Sequence, residues 1–223
     1  DVFGIKANLS GRRNDWELDI SSQFTTFDPS RFADGYRYKG TLKKDLNYQD
    51  IHASVYTSYR DKTWNGSLGE SNIYYSSGAY LSKSGSLKED KNKHEYDLRI
   101  GTGHYEAESF THKKLIKLWK NNIFTSLRSS YPILRFSREV NTSFSNYRYS
   151  PVPINPGIAF NTKLSTSYSL YSNETSQALF KISGGPEITL GKFQKKYLDF
   201  TRLSIMPGMT IKDGSSPFKF DND

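Results

Sequence analysis

Apolar and polar residues alternate with period two along most of the chain. Phe3, Ile5, Ala7 and Leu9 alternate with Gly4, Lys6, Asn8 and Ser10, and Trp16, Leu18 and Ile20 with Glu17, Asp19 and Ser21. Tyr36, Tyr38, Gly40 and Leu42 oppose Arg37, Lys39, Thr41 and Lys43. Ile51, Ala53, Val55, Thr57 and Tyr59 oppose His52, Ser54, Tyr56, Ser58 and Arg60, and Tyr96, Leu98 and Ile100 oppose Glu95, Asp97 and Arg99. The longest run sets Ile158, Phe160, Thr162, Leu164, Thr166, Tyr168 and Leu170 against Ala159, Asn161, Lys163, Ser165, Ser167 and Ser169. Side chains on a strand point alternately to its two faces, so this pattern predicts a sheet with one apolar and one polar face. Turn-forming clusters at Gly11–Asp15, Ser172–Thr175 and Gly184–Pro186 make the sheet mostly antiparallel.

About a dozen strands are expected, several of them long enough for the roughly 9–11 residues of a tilted bilayer crossing. Aromatic residues fall near strand ends at Trp16, Phe24, Tyr36, Tyr59, Trp64, Tyr96 and Phe160. That is where a water–lipid interface would lie along a membrane strand. The fold expectation is all-β: an antiparallel transmembrane β-barrel, with residues 1–223 as one wall segment of a larger barrel. A soluble β-sandwich alternates too and stays open as an alternative. Glu106–Asn122 fits a strand pair or a short basic amphipathic helix equally. Tyr147–Gly157, with Pro151, Pro153 and Pro156, reads as an extended loop, and Lys83–Lys93 as an exposed loop or hairpin tip.

Composition changes the picture in three ways. The 223 residues include 33 aromatics (16 Tyr, 14 Phe, 3 Trp) although only 35% of the chain is hydrophobic, which suits neither an ordinary globular core nor a disordered chain. No Cys is present, which removes disulfides, thiolate metal sites and cysteine nucleophiles. No apolar run approaches the roughly 20 residues of a transmembrane helix.

The net charge is +8. Its basic residues divide between loops and predicted polar faces, where Arg37, Lys39, Lys43, Arg60, Arg99 and Lys163 stand. If that face lines a lumen, these six are the candidates for contacting anionic headgroups or sugars. Rings spread over the whole chain, rather than gathered on one platform, argue against a nucleic-acid partner.

Motifs for chemistry are sparse. His52, His94, His104 and His112 lack metal-ligand spacing, so no metal or other cofactor is expected. Glu17 and Asp19 share a strand face at a glycosidase-like separation, but such pairs are common on polar faces and the solvated reading is preferred. No catalytic residue is assigned.

One stretch is distinctive: Tyr59-Arg60-Asp61-Lys62-Thr63-Trp64-Asn65-Gly66-Ser67-Leu68-Gly69-Glu70, leading into Asn72-Ile73-Tyr74-Tyr75-Ser76-Ser77-Gly78-Ala79. With Gly191-Lys192-Phe193, Leu198-Asp199-Phe200-Thr201 and Ser215-Ser216-Pro217-Phe218-Lys219-Phe220-Asp221, it resembles the cyanobacterial outer-membrane proteins related to LptD that carry the DUF3769 domain. The resemblance implies a non-enzymatic outer-membrane barrel that delivers lipopolysaccharide or a related glycolipid to the outer leaflet. It also implies a periplasmic transport bridge and a plug lipoprotein as partners. The chain would then be a wall segment integral to the outer membrane. A porin or another outer-membrane barrel, and a soluble β-sandwich binding glycans or polyanions, are the competing expectations.

Overall fold

A computed structural model describes residues 4–25, 35–46, 48–65, 69–89, 91–112, 114–135, 157–190 and 201–222. The chain forms one antiparallel sheet. Its strands are β1 (Gly4–Arg13), β2 (Trp16–Thr25), β3 (Gly35–Asp45), β4 (Ile51–Asn65), β5 (Gly69–Glu89), β6 (Asn92–Glu108), β7 (Leu115–Arg135), β8 (Gly157–Tyr171), β9 (Ser176–Leu190), β10 (Thr201–Ser204) and β11 (Gly208–Gly214). Strands β1 to β10 lie side by side in chain order, and β11 continues the outer edge by pairing with the other half of β9. Among the described residues β1 and the β10–β11 edge are not paired, so the sheet is open. Strands β5 and β7 have 21 residues each, roughly 70 Å at about 3.3 Å per residue.

The turns follow from residues that tolerate left-handed backbone. Asn14 adopts φ 52° in the two-residue link between β1 and β2, and Gln49 and Asp50 do likewise before β4. Between β8 and β9, Glu174 takes φ 68° while the Asn173 Oδ1 accepts the Thr175 hydroxyl at 2.8 Å.

Three expectations about local structure resolve here. Glu106–Asn122 is the strand pair, with β6 ending at Glu108, a turn after it and β7 starting at Leu115. Lys83–Lys93 is the tip of the β5–β6 hairpin, with its strands running almost to the turn. Gly184–Pro186 is not a turn but the middle of β9. The edge strand bulges at Ile205–Pro207, where a Cβ on Gly185 would come within 1.9 Å of the Ile205 carbonyl oxygen. Pro186 accepts the Ile205 N–H at 3.1 Å, so its own missing N–H falls on the bulged side, where no ladder partner is needed. The expected Tyr147–Gly157 loop lies outside the described residues up to position 156.

The only buried apolar cluster among the described residues is small: Ile73, Ala107, Tyr171 and Phe218. It forms where Ser215–Asn222 folds back over the polar side of β4–β6, carrying a short 3₁₀ turn, Lys219–Asp221. Phe218 is fully buried, with Tyr105 and Tyr171 rings each 5.9 Å away and Phe220 stacked at 5.2 Å. Asn222 fastens the segment, donating to the Ser216 and Phe218 carbonyls at 2.7 and 2.8 Å and accepting from Lys212 at 2.8 Å. Asp221 ion-pairs with Lys120 at 2.5 Å and accepts the Tyr171 hydroxyl.

Glycine makes room for rings on the same side. Tyr56 lies across Gly78 and Gly103, its hydroxyl 2.5 Å from that of Tyr105, and a Cβ on Gly103 would sit 2.2 Å from the Tyr56 oxygen. Phe218→Ala is expected to cost about 3–5 kcal/mol and Gly103→Val about 1–3 kcal/mol in chemical unfolding of the purified protein. Shifts below about 0.5 kcal/mol would remove these contacts from the stability account.

Candidate functional site

The two faces of the sheet differ in kind. On the apolar face Ile5, Leu9, Ile20, Val55, Leu81, Leu98, Ile100, Ile123, Leu127, Ile182 and Ile211 are all exposed, with no second sheet packed on them among the described residues. Cross-strand partners share a face, so these side chains form continuous rows. One row runs Trp16, Lys44, Ala53, Leu81, Ile100, Ile123, Tyr168 from β2 to β8. A shallow trough of about 670 Å³ follows this row, floored by Ala53 and Ala79.

Aromatic residues bound the apolar belt at both ends, and the bands they form are inclined to the rows. Trp16 is in register with Ile100 of β6 and Tyr168 of β8, yet the aromatics Tyr96 and Phe160 stand four and eight residues before them in those strands. Eight residues over six strand spacings of about 4.8 Å correspond to a strand tilt of roughly 40°. At the opposite end Phe24 and Tyr36 face each other, while Trp119 is in register with Ile20, four residues short of Phe24. That slope, about 30°, has the same sense. In β7 Trp119 and Tyr131 enclose the belt twelve residues apart, roughly 40 Å along the strand and about 30 Å along an axis at that tilt.

Of the aromatics marked from sequence, Trp16, Tyr36, Tyr59, Tyr96 and Phe160 all lie on this face and in these bands. Trp64 pairs with Glu70 through its backbone, and its side chain lies outside the described residues. Sequence reasoning missed Trp119, Tyr131 and Tyr168 as band members. Trp119 is 54% exposed beside His104, its ring centroid 5.4 Å away. Lys44 lies over the Trp16 ring at 5.0 Å, so a cation accompanies the aromatic at that end of the belt.

The polar face carries most of the candidate cations, and three of them, Lys39, Lys43 and Arg99, stand in ion pairs. Lys39 pairs with Asp61 at 2.9 Å, Lys43 with Glu17 at 3.7 Å, and Arg99 with Asp97 at 2.9 Å while lying over Tyr80 at 5.9 Å. Arg37 stands opposite Gln23, and Lys163 opposite Arg128. Arg60 departs from the expected placement. Its φ is 54°, opposite the bulged Tyr74, and its guanidinium sits 5.2 Å from the Tyr59 ring, a residue of the apolar face. A cavity of about 230 Å³ on the polar side is lined by Tyr56, Tyr80, Arg99, Tyr105, Lys120 and Asn122.

The histidines are dispersed. His52 approaches Asp45 at 3.8 Å and His94 bonds Ser129 at 2.9 Å. Among the described residues no group of three His, Asp or Glu could hold a metal.

A family model described as a protein of unknown function, DUF3769, matches residues 1–223. The chain belongs to the DUF3769 family. Comparison with curated proteins and with solved structures finds no match. For this DUF3769 member the informative geometry is thus its own: an apolar belt between two inclined aromatic bands, backed by a polar face of paired charges. Because the pairs are solvent-exposed, Lys39→Gln should shift unfolding stability by less than about 1 kcal/mol. A loss of several kcal/mol would mean that the pair is shielded from water.

Proposed function

We propose that this chain is part of the wall of an outer-membrane β-barrel that carries lipopolysaccharide or a related glycolipid to the outer leaflet. The observation that carries the membrane part is the belt: apolar, about 30 Å thick, and bounded by aromatics inclined as strands at 30–40° would require. A hydrocarbon core is about 25–30 Å thick, and barrel strands cross it at about 35–45° with aromatic girdles at both interfaces. A soluble sandwich would cover such a face with a second sheet rather than leave it to water.

The glycolipid part is supported by the resemblance to LptD-related proteins and by a polar face dense in hydroxyls, amides and charges. On this reading the polar face solvates sugar while acyl chains remain on the lipid side. The periplasmic bridge and the plug lipoprotein are the partners that the resemblance adds. No covalent step is needed, so the protein acts as a conduit.

Two measurements test the two parts. In vesicle-inserted protein, Ile123→Lys at mid-belt should cost about 2–4 kcal/mol, against less than about 1 kcal/mol for Ser126→Lys on the polar face. Equal costs would refute a lipid-facing belt. Depletion of the full-length protein should lower surface-exposed lipopolysaccharide while it accumulates behind the outer membrane. Unchanged surface lipopolysaccharide, together with steady conductance of the reconstituted protein, would replace transport with a porin.

A further inference from the structure

Three glycines of β5 and β6 stand in two neighbouring cross-strand rows of the polar face, and a ring covers only two of them. Gly78 and Gly103 are register partners, and Tyr56 lies across both. In the next row Tyr80 stands opposite Gly101, and Gly101 opposite Asn122. The two atoms closest to a Cβ on Gly103 belong to the Tyr56 and Tyr105 side chains. At Gly101 the closest are the Tyr80 Cβ and the Ala79 carbonyl oxygen, and no ring restores the lost packing there. Gly103 is accordingly buried, whereas Gly101 is not. The backbone from Gly101 to Gly103 lines the cavity of about 230 Å³ on this side.

We propose that this recess seats one neutral sugar ring, a pyranose of the glycolipid head. This rests on the reading of the polar face as the solvated side of a membrane wall. The volume is below the roughly 300–1,000 Å³ of pockets for drug-sized ligands, so it admits a single ring. Tyr56 is tilted by 41° to Tyr80 and by 43° to Tyr105, with centroids 6.2 and 6.4 Å apart, so the three form walls instead of a closed stack. The Phe218 and Phe220 rings, 5.9 and 5.4 Å from Tyr105, fix that wall before a ligand arrives. An aromatic face carries negative partial charge and attracts the polarised C–H groups on the apolar side of a sugar. Asn122 supplies the polar edge. Its amide nitrogen donates to the Ser167 and Ser169 hydroxyls at 3.1 and 2.9 Å and to the Tyr168 carbonyl at 3.2 Å, which leaves Oδ1 as the acceptor for a sugar hydroxyl. Both cations in the lining already hold a carboxylate, Arg99 that of Asp97 at 2.9 Å and Lys120 that of Asp221 at 2.5 Å. Their charge is balanced within the site, which suits a neutral, hydroxyl-rich ligand better than an anion.

The test uses full-length protein in a detergent without a sugar head. The probes are the methyl pyranosides of glucose, galactose and mannose, with saturation-transfer NMR as the readout. The parent should bind at least one of them. Tyr80→Ala should weaken that binding roughly tenfold, while Tyr80→Phe, which keeps the ring, should stay within about twofold of the parent. Asn122→Ala leaves all three rings in place and should weaken binding roughly threefold to tenfold, so the test does not hang on Tyr80→Ala folding. Glucose 6-phosphate should bind no more tightly than methyl glucoside.

Absence of saturation transfer to all three pyranosides overturns the sugar subsite. So does unchanged affinity in either folded variant, Tyr80→Ala or Asn122→Ala, or tighter binding of glucose 6-phosphate than of methyl glucoside. Flotation of the parent protein with lipid vesicles is scored separately. Failure to float refutes the membrane reading, and protein that floats without binding any pyranoside refutes the subsite alone.

Discussion

Every strand of this sheet must satisfy its backbone from its neighbours while presenting two chemically different faces, and that requirement governs the rest of the molecule. The ladder is continuous from β1 to the β10–β11 edge, so the backbone groups inside the sheet are paired without help from a packed core. That is the condition for a structure whose apolar side meets lipid, where an unpaired N–H or C=O has no water to turn to. It also explains why so few apolar residues are buried. A sheet that among the described residues holds only Ile73, Ala107, Tyr171 and Phe218 in a core cluster leaves the solvent outside to reward its apolar face.

The polar face obeys a second constraint, that strands must approach closely while bulky rings still find space. Gly78 and Gly103 lie in register, and the Tyr56 ring occupies the room that two Cβ atoms would have taken. Aromatic side chains laid over glycines restore the packing that glycine removes and pin the register. At one end the bulge at Tyr74 turns Ile73 toward this face, and the Phe218 segment packs onto it. The polar side is therefore ordered by rings and closed by its own chain at one end.

Much of this was legible in the sequence because alternation is a local property. The faces of β2, β3, β6 and β8 follow from residue parity alone, and with them the sides taken by Trp16, Tyr36, Tyr96, Phe160, Lys39 and Lys163. What escaped depends on contacts distant along the chain. Trp119 sits among four lysines whose spacing also fits a helix, and only pairing with His104 fixes it in a strand. Gly184-Gly185-Pro186 has turn chemistry, yet the bulge of a neighbour about 20 residues later uses it inside a strand. Arg60 obeys the parity of its neighbours until a left-handed φ redirects it. The pairing of Lys39 with Asp61, and the placing of Lys163 opposite Arg128, are matters of register, which no single strand encodes.

The membrane-spanning wall is the claim on which the functional reading depends, and the two aromatic bands give it a depth that can be measured. Single-tryptophan variants retaining Trp16 or Trp119 in the full-length protein would be placed in vesicles containing lipids brominated at defined depths. The account predicts strongest quenching of both by bromines near the headgroups, with the two residues in opposite leaflets, and weak quenching from the bilayer centre. Absence of quenching, or both residues at one depth in one leaflet, would contradict it.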